Sequence, residues 1–223
     1  MAVRVADDVR LLDPVFVLGF AALLFGVNIT MIETLQPLLN DRFAQGSLMF
    51  SLQYGGLILA LVLFASPFGT LGDRLGRRPF VVVAWLVLVP ATFVQGFVVT
   101  SAGMLLTRLL QGLASAMAFA PAVALVGDVA ERDGRGAGTQ LAVFSMLLGV
   151  GLATGPLYSG FLVQFGYPVP FVTAAVLATV AGVLVYTQVP ETHEAIVDGR
   201  MDDLWTRLRR RVRTGAVAAG RRE

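Results

Sequence analysis

Six long apolar runs constrain this chain more than any other feature of its sequence. Each is about 20 residues long, the length of α-helix that crosses the roughly 30 Å hydrocarbon core of a bilayer. A backbone in lipid must satisfy its own hydrogen bonds, and the runs lack the alternation of β-barrel strands, so each run is predicted to be a helix. The sequence therefore predicts an all-α, polytopic membrane protein. Its six spans cover residues 14–35, 47–68, 79–99, 102–126, 139–165 and 168–189.

The composition agrees with a surface that faces lipid. Only 14% of the 223 residues are charged and 56% are hydrophobic, with a mean hydropathy of +0.75, whereas a soluble domain has about a quarter of its residues charged. There is no cysteine, and all 17 basic residues are arginines. These arginines lie mostly between apolar runs, so no nucleic-acid partner is expected. No cofactor or metal site is expected either, and the chain has no P-loop that would bind ATP.

The arginines outside the apolar runs predict the orientation of the chain. Fifteen of these 16 residues fall on one side of the predicted membrane, and only Arg42 falls on the other. Positively charged segments stay in the cytoplasm, so both termini are expected there, with the spans in the plasma membrane. The 15 arginines are at positions 4, 10, 74, 77, 78, 132, 135, 200, 207, 209, 210, 211, 213, 221 and 222.

The chain divides into a cytoplasmic tail at residues 1–13, a six-helix bundle at residues 14–192 and a second tail at residues 193–223. The second tail contains a basic amphipathic pattern over residues 199–212. This pattern is typical of a helix on the anionic inner leaflet, with a solvated linker as the alternative. Its apolar residues are Met201, Leu204, Trp205, Leu208 and Val212.

The segment between the second and third spans has the most specific motif, GTLGDRLGRRP at residues 69–79. It resembles the G-x-L-x-D-R-x-G-R-[RK] signature of major facilitator superfamily transporters. Its glycines permit a tight turn, and its charges can pair across the cytoplasmic face. The resemblance implies a gate in which Asp128, at the end of the fourth span, joins these charges; a surface ion pair is the simpler alternative. The gating residues are Gly69, Asp73, Arg74, Gly76, Arg77, Arg78 and Asp128.

Two further motifs point to the same family. Residues 108–112, RLLQG, resemble its R-x-x-Q-G segment in the fourth span. Residues 151–160, GLATGPLYSG, resemble the G-x-x-x-G-P-x-x-G-G motif of antiporters, with Ser159 in place of the first closing glycine. Glycines at this spacing form a flat face for close helix packing, and a proline adds a bend. The predicted helix-packing residues are Gly151, Gly155, Pro156 and Gly160.

The end of the first span resembles a pattern of drug:proton antiporters within this family. Residues 28–37, NITMIETLQP, follow D-x-T-x-x-N-x-x-x-P, except that Asn28 replaces the acid and Glu33 replaces the asparagine. The resemblance implies one half of a transporter, in which spans 1 and 4 line a central cavity and spans 3 and 6 face lipid. It also implies alternating access, with a second six-helix half as partner.

Two charged residues within or beside the spans are candidates for binding the substrate or exchanging protons. An ionisable side chain inside a membrane is energetically costly, so its presence there indicates a functional role. Arg108 is expected to be a fixed charge that binds an anionic group or tunes an acid, and Glu33 to be the residue that exchanges protons. The alternatives are a structural Arg108, paired with backbone carbonyls or Gln111, and a solvated interfacial Glu33. Further polar cavity candidates are Asn28, Thr30, Gln36 and Gln111.

The function predicted is membrane transport of a small molecule, as proton-coupled efflux, and not enzymatic catalysis. A six-helix serine protease would need a histidine in the membrane, but the single histidine, His193, follows the last span. A binding or sensory module without transport is the remaining alternative. The six-helix length also leaves three arrangements open, namely a separately encoded second half, a homodimer and a truncated product.

Overall fold

The computed structural model describes residues 12–190, and this part of the chain is α-helical, with no β-strand. The predicted all-α fold is confirmed. The predicted amphipathic helix and His193 lie outside the described residues, and the domain boundaries stay a prediction. The helices are α1 (Pro14–Thr30), α2 (Gln36–Arg42), α3 (Ser47–Leu75), α4 (Arg77–Gln95), α5 (Ser101–Arg132), α6 (Ala137–Leu162) and α7 (Val169–Gln188), with a 3₁₀ turn at Val163–Phe165.

Five of these helices are long and apolar enough to cross a membrane, namely α3, α4, α5, α6 together with its 3₁₀ turn, and α7. The first span is shorter than predicted, because α1 has 17 residues and ends at Thr30. The chain then turns, with Glu33 N–H donating to the Thr30 carbonyl, before α2 begins at Gln36. Pro37 lies in the first turn of α2, a position that suits proline because its missing N–H needs no partner there.

Two helices extend beyond their predicted ends at residues 68 and 126. Helix α3 continues to Leu75 and α5 to Arg132, because hydropathy marks the part of a helix that lies in hydrocarbon and not its polar end. Most of the motif between the second and third spans is therefore helical. The turn itself is made at Gly76, whose φ of 106° favours glycine.

The helices pack in pairs that repeat between the first three spans and the last three. Helix α1 packs on α6, α3 on α5, and α4 on α7, while α4 also contacts α5 and α1 contacts α7. Exchanging the first three spans with the last three leaves these five pairings unchanged. One apolar core lies among α1, α4, α5 and α7, and a smaller one forms where Met31, Ile32 and Leu35 meet Met104 and Phe171.

One end of the bundle, called the arginine-rich end below, contains the start of α1, the α3–α4 and α5–α6 junctions and the end of α7. Five described arginines lie in or beside these junctions, and Arg42 lies in α2 at the opposite end. Cytoplasmic placement of the arginine-rich end stays a prediction. The described arginines there are Arg74, Arg77, Arg78, Arg132 and Arg135.

Glycines bring α1 and α6 into backbone contact. A Cβ added to Gly151 would lie 2.0 Å from the Leu23 carbonyl oxygen, and one added to Gly155 would lie 2.8 Å from the Val27 carbonyl oxygen. From the other side, a Cβ on Gly26 would meet the α6 backbone at 2.6 Å. Small residues allow two helix backbones to come this close, and in a membrane the association of helices depends on such van der Waals packing.

Replacing Gly151 with alanine should therefore destabilise the bundle. The new methyl group would overlap the backbone of α1, and overpacking of this kind costs about 1–3 kcal/mol. Gly149 of the same helix has nothing within 4 Å of an added Cβ. Thermal unfolding in mild detergent should show a lower midpoint for Gly151→Ala and an unchanged or slightly higher one for Gly149→Ala. Equal midpoints for the two variants would contradict this interface.

Candidate functional site

Arg108 of α5 is fully buried, with 0% of its surface exposed, and it is held by α1 and by its own helix. Its Nη1 donates to Gln111 Oε1 at 2.7 Å, and its Nη2 donates to the Ile29 carbonyl at 3.2 Å. Ile29 belongs to the last turn of α1, where carbonyls lack intrahelical partners. The early end of α1 therefore supplies an acceptor for the buried guanidinium.

The hydrogen bonds of Arg108 continue into a network that joins three helices. Gln111 Nε2 donates to Asn28 Oδ1 of α1 at 2.6 Å and to Thr92 Oγ1 of α4 at 3.1 Å, and Thr92 also donates to Asn28 at 3.0 Å. Asn28, Thr92 and Gln111 are all buried. The network formed by these four residues is called the Arg108 network below. The sequence analysis missed Thr92, although a polar residue three positions before Gln95 in a predicted span was a signal.

Several polar atoms of this region have no hydrogen-bond partner among the described residues. They are Asn28 Nδ2, Arg108 Nε and both terminal side-chain atoms of the buried Gln95. Unpaired buried groups typically cost about 1–3 kcal/mol each, so the Arg108 network is not arranged for stability alone. By contrast, Gln53 satisfies its amide with Gln45 and the Ser101 carbonyl.

Glu33 lies in the turn after α1 and lines a pocket of about 320 Å³ with Gln36, Phe50, Ser51, Tyr54 and Gly55. Its side chain is exposed. Arg108 is not part of this pocket wall, and within the described residues it forms no ion pair with Glu33. Arg108 instead donates to the Ile29 carbonyl, four residues before Glu33, so the two predicted charges are connected only through the end of α1. Tyr54 is an additional residue of the pocket, which the sequence analysis missed because the tyrosine lies in a different span without a motif.

Thr30 does not line this pocket. Its Oγ1 lies 3.1 Å from the Gly26 carbonyl and 2.9 Å from the Leu152 carbonyl of α6, and its side chain is buried between these helices. Asn28 and Gln111 are likewise enclosed within the bundle. Of the predicted polar candidates, only Glu33 and Gln36 lie in the pocket wall.

At the arginine-rich end, Arg77 joins α3 and α5. Its Nε donates to Asp73 Oδ1 at 2.9 Å, and its Nη1 donates to Asp128 Oδ2. The Asp73 side chain is 58% exposed, whereas that of Asp128 is 21% exposed. Arg74 points to solvent, and Gly72 allows α3 to approach Pro121. Three of the predicted gating charges, Asp73, Arg77 and Asp128, are therefore in direct contact.

Another ion pair at this end joins Arg135 to Asp13, which also caps α1 by accepting from Val15 N–H at 2.9 Å. Burial raises the pKa of Asp13, but the hydrogen bonds from Arg135 and from Val15 N–H outweigh it and hold the pKa below its ordinary value. Among residues 12–190, no group of three or more His, Cys, Asp or Glu side chains could hold a metal ion.

Removing Asp128 should cost more stability than removing Asp73. Asp128→Asn leaves a partly buried Arg77 with its more exposed partner, whereas Asp73→Asn removes a largely solvated pair worth less than about 1 kcal/mol. Thermal unfolding of both variants and of Arg77→Gln measures the difference. A larger loss for Asp73→Asn than for Asp128→Asn would contradict the geometry.

Comparison with known proteins gives a family match over most of the chain. Residues 18–219 match the family model for the Major Facilitator Superfamily. The chain is 25% identical over 191 residues to the multi-drug resistance efflux pump PmrA of Streptococcus pneumoniae, covering 82% of this chain and 47% of that protein. It is 23% identical to the quinolone resistance protein NorA of Staphylococcus aureus, covering 83% of this chain and 47% of NorA.

A third relative is the tetracycline resistance protein, class E, of Escherichia coli. The identity is 31% over 148 residues, covering 63% of this chain and 35% of that protein. The chain thus spans about half the length, or less, of the curated relatives that it matches. The family match covers nearly all of the described helices, and their all-α arrangement agrees with it. The chain belongs to the Major Facilitator Superfamily of membrane transporters.

Proposed function

We propose that this chain forms one half of a transporter that exports small lipophilic molecules by alternating access, in exchange for protons. The observation that carries the proposal is the exposed Glu33 in the wall of an open pocket, at the end of the helix whose Ile29 carbonyl accepts from the buried Arg108. The names of the relatives support the substrate class, since they describe multi-drug efflux, quinolone resistance and tetracycline resistance.

The pocket has the chemistry of a site for an amphipathic molecule. Phe50 and Tyr54 offer aromatic surface, while Gln36 and Glu33 offer polar groups that can orient a ligand. Ligand sites commonly combine apolar walls with a few polar groups. A cationic or hydrogen-bonding group of the substrate would approach Glu33, and its apolar part would contact the rings.

Proton exchange follows from the different acid–base properties of the two charges. Arg108 stays charged because guanidinium does not lose its proton in proteins, whereas the Glu33 carboxylate can bind either a proton or a cationic group of the substrate. Because the proton and the substrate would compete for Glu33, movement of the proton in one direction would be coupled to movement of the substrate in the other. The Arg108 network would keep the fixed charge in place while the pocket changes its exposure.

The second half would cover the surfaces of α3 and α6. These helices have the smallest buried share, 22% and 17% of residues in their most apolar windows, against 50% in α5. The partner would be a second six-helix bundle, either in the same polypeptide, in another chain or in a second copy. With the tails in the cytoplasm, the contact of Arg77 with Asp73 and Asp128 would close the cytoplasmic side and break as that side opens.

The test is flux of a fluorescent lipophilic cation into or out of proteoliposomes under an imposed pH gradient. The chain is reconstituted alone and together with a second six-helix half. We expect gradient-dependent flux in at least one of the two preparations, and at least a tenfold loss for Glu33→Gln, because the amide can neither bind a proton nor attract a cation. That loss corresponds to about 1.4 kcal/mol or more.

The matched control is Asp41→Asn, which removes an exposed carboxylate of α2 at the same end of the bundle as Glu33. It should retain the parental flux. Full activity of Glu33→Gln would contradict the proton role of Glu33. Binding of the cation without flux in either preparation would contradict transport and favour a binding or sensory module.

A further inference from the structure

A groove of about 520 Å³ opens on the outer surface of the pair formed by α4 and α7. Trp85 and Gly182 form its floor, where a Cβ on Gly182 would lie 3.0 Å from Trp85 Cβ. Leu86 and Val183 form its rims and are 68% and 55% exposed. Since α4 and α7 are predicted spans, this groove opens onto the hydrocarbon of the bilayer.

The groove is long and apolar, which suits an acyl chain. Its walls extend over residues 82–90 of α4 and 178–186 of α7. Eight residue steps of helix correspond to about 12 Å, which is somewhat under half of the hydrocarbon thickness. Pro90 lies at one end, and Tyr186 lies at the other, towards the arginine-rich end.

Arg78 lies at the Tyr186 end of the groove. Its guanidinium carbon is 5.3 Å from the centroid of the Tyr186 ring, and its Nη2 donates to the Tyr186 carbonyl. Its Nε is buried without a hydrogen-bond partner. Within residues 12–190 it forms no ion pair, whereas the neighbouring Arg77 contacts two carboxylates. The positive charge of Arg78 is therefore not neutralised by the described part of the protein.

We propose that this groove binds an anionic phospholipid, with one acyl chain lying over Trp85 and the phosphate at Arg78. Basic residues beside grooves between membrane helices recognise anionic head groups, and a basic residue near such a surface contributes favourably. The site does not depend on the proposed transport function, since it lies on other helices than the Glu33 pocket. A lipid bound there bridges α4 and α7.

Trp85 reports directly on occupancy of the groove. The chain has two tryptophans, so Trp205→Phe in the full chain leaves Trp85 as the single tryptophan. This protein is reconstituted in phosphatidylcholine vesicles that contain increasing fractions of brominated phosphatidylglycerol or brominated phosphatidylcholine, with bromine midway along one acyl chain. Bromine quenches a tryptophan that it touches. Half-maximal quenching should need about fivefold less phosphatidylglycerol than phosphatidylcholine.

Variants separate this site from general surface charge. Arg78→Gln should remove the fivefold preference, while Arg74→Gln, which removes an exposed arginine at the same end, should keep it. Val183→Phe should fill the groove and reduce quenching by both lipids, whereas Val176→Phe, on an exposed position of α7 outside the groove, should not.

Three results would overturn the proposal. One is equal quenching of the parent protein by the two lipids, which needs no variant to fold. Another is an absence of quenching by either, as expected if a second copy or another protein covers the groove. The third is an equal loss of preference in Arg78→Gln and Arg74→Gln.

Discussion

The burial of Arg108 is the constraint on which the rest of the site depends. A charge inside a membrane protein is tolerated when other groups satisfy its hydrogen bonds, and two acceptors are present, Gln111 Oε1 and the Ile29 carbonyl. The Ile29 carbonyl is available as an acceptor because α1 ends at Thr30. A first span that continued to residue 35, as the sequence suggested, would have used that carbonyl within the helix and moved Glu33 away from the pocket.

Close helix packing makes this arrangement possible. Gly151 and Gly155 let the backbone of α6 touch α1, and Gly112 gives α5 the same freedom against α3, where an added Cβ would lie 2.4 Å from the Leu57 carbonyl oxygen. The result is a bundle in which the Arg108 network is enclosed while α3 and α6 keep apolar surface exposed. The enclosed charge and the uncovered faces of α3 and α6 support the proposal of an alternating-access half.

The sequence predicted the helical architecture well because hydropathy distinguishes segments that lie in lipid from segments that lie in water. The resemblance led us to expect the contact of Asp73 and Arg77, which lie in a specific motif, with Asp128 at the end of the fourth span, and the structure contains this contact. The gating role of these charges stays a prediction. The sequence did not predict the break in α1, because a proline such as Pro37 does not by itself mark a break, and several of the spans contain a proline inside a continuous helix. It also missed Thr92 and Tyr54, because contacts between distant spans depend on how helices rotate against each other, and no local pattern records that rotation.

The most direct measurement of the central claim compares Gln111→Leu with the double variant Arg108→Leu/Gln111→Leu, by thermal unfolding and by proton-driven flux. If Arg108 is kept for function, Gln111→Leu alone should lose about 1–3 kcal/mol, because it leaves the buried guanidinium short of an acceptor. The double variant should recover to within about 1 kcal/mol of the parent, since apolar replacement of a buried polar pair is often neutral, yet transport should be lost. A double variant that transports at the parental rate would contradict the account.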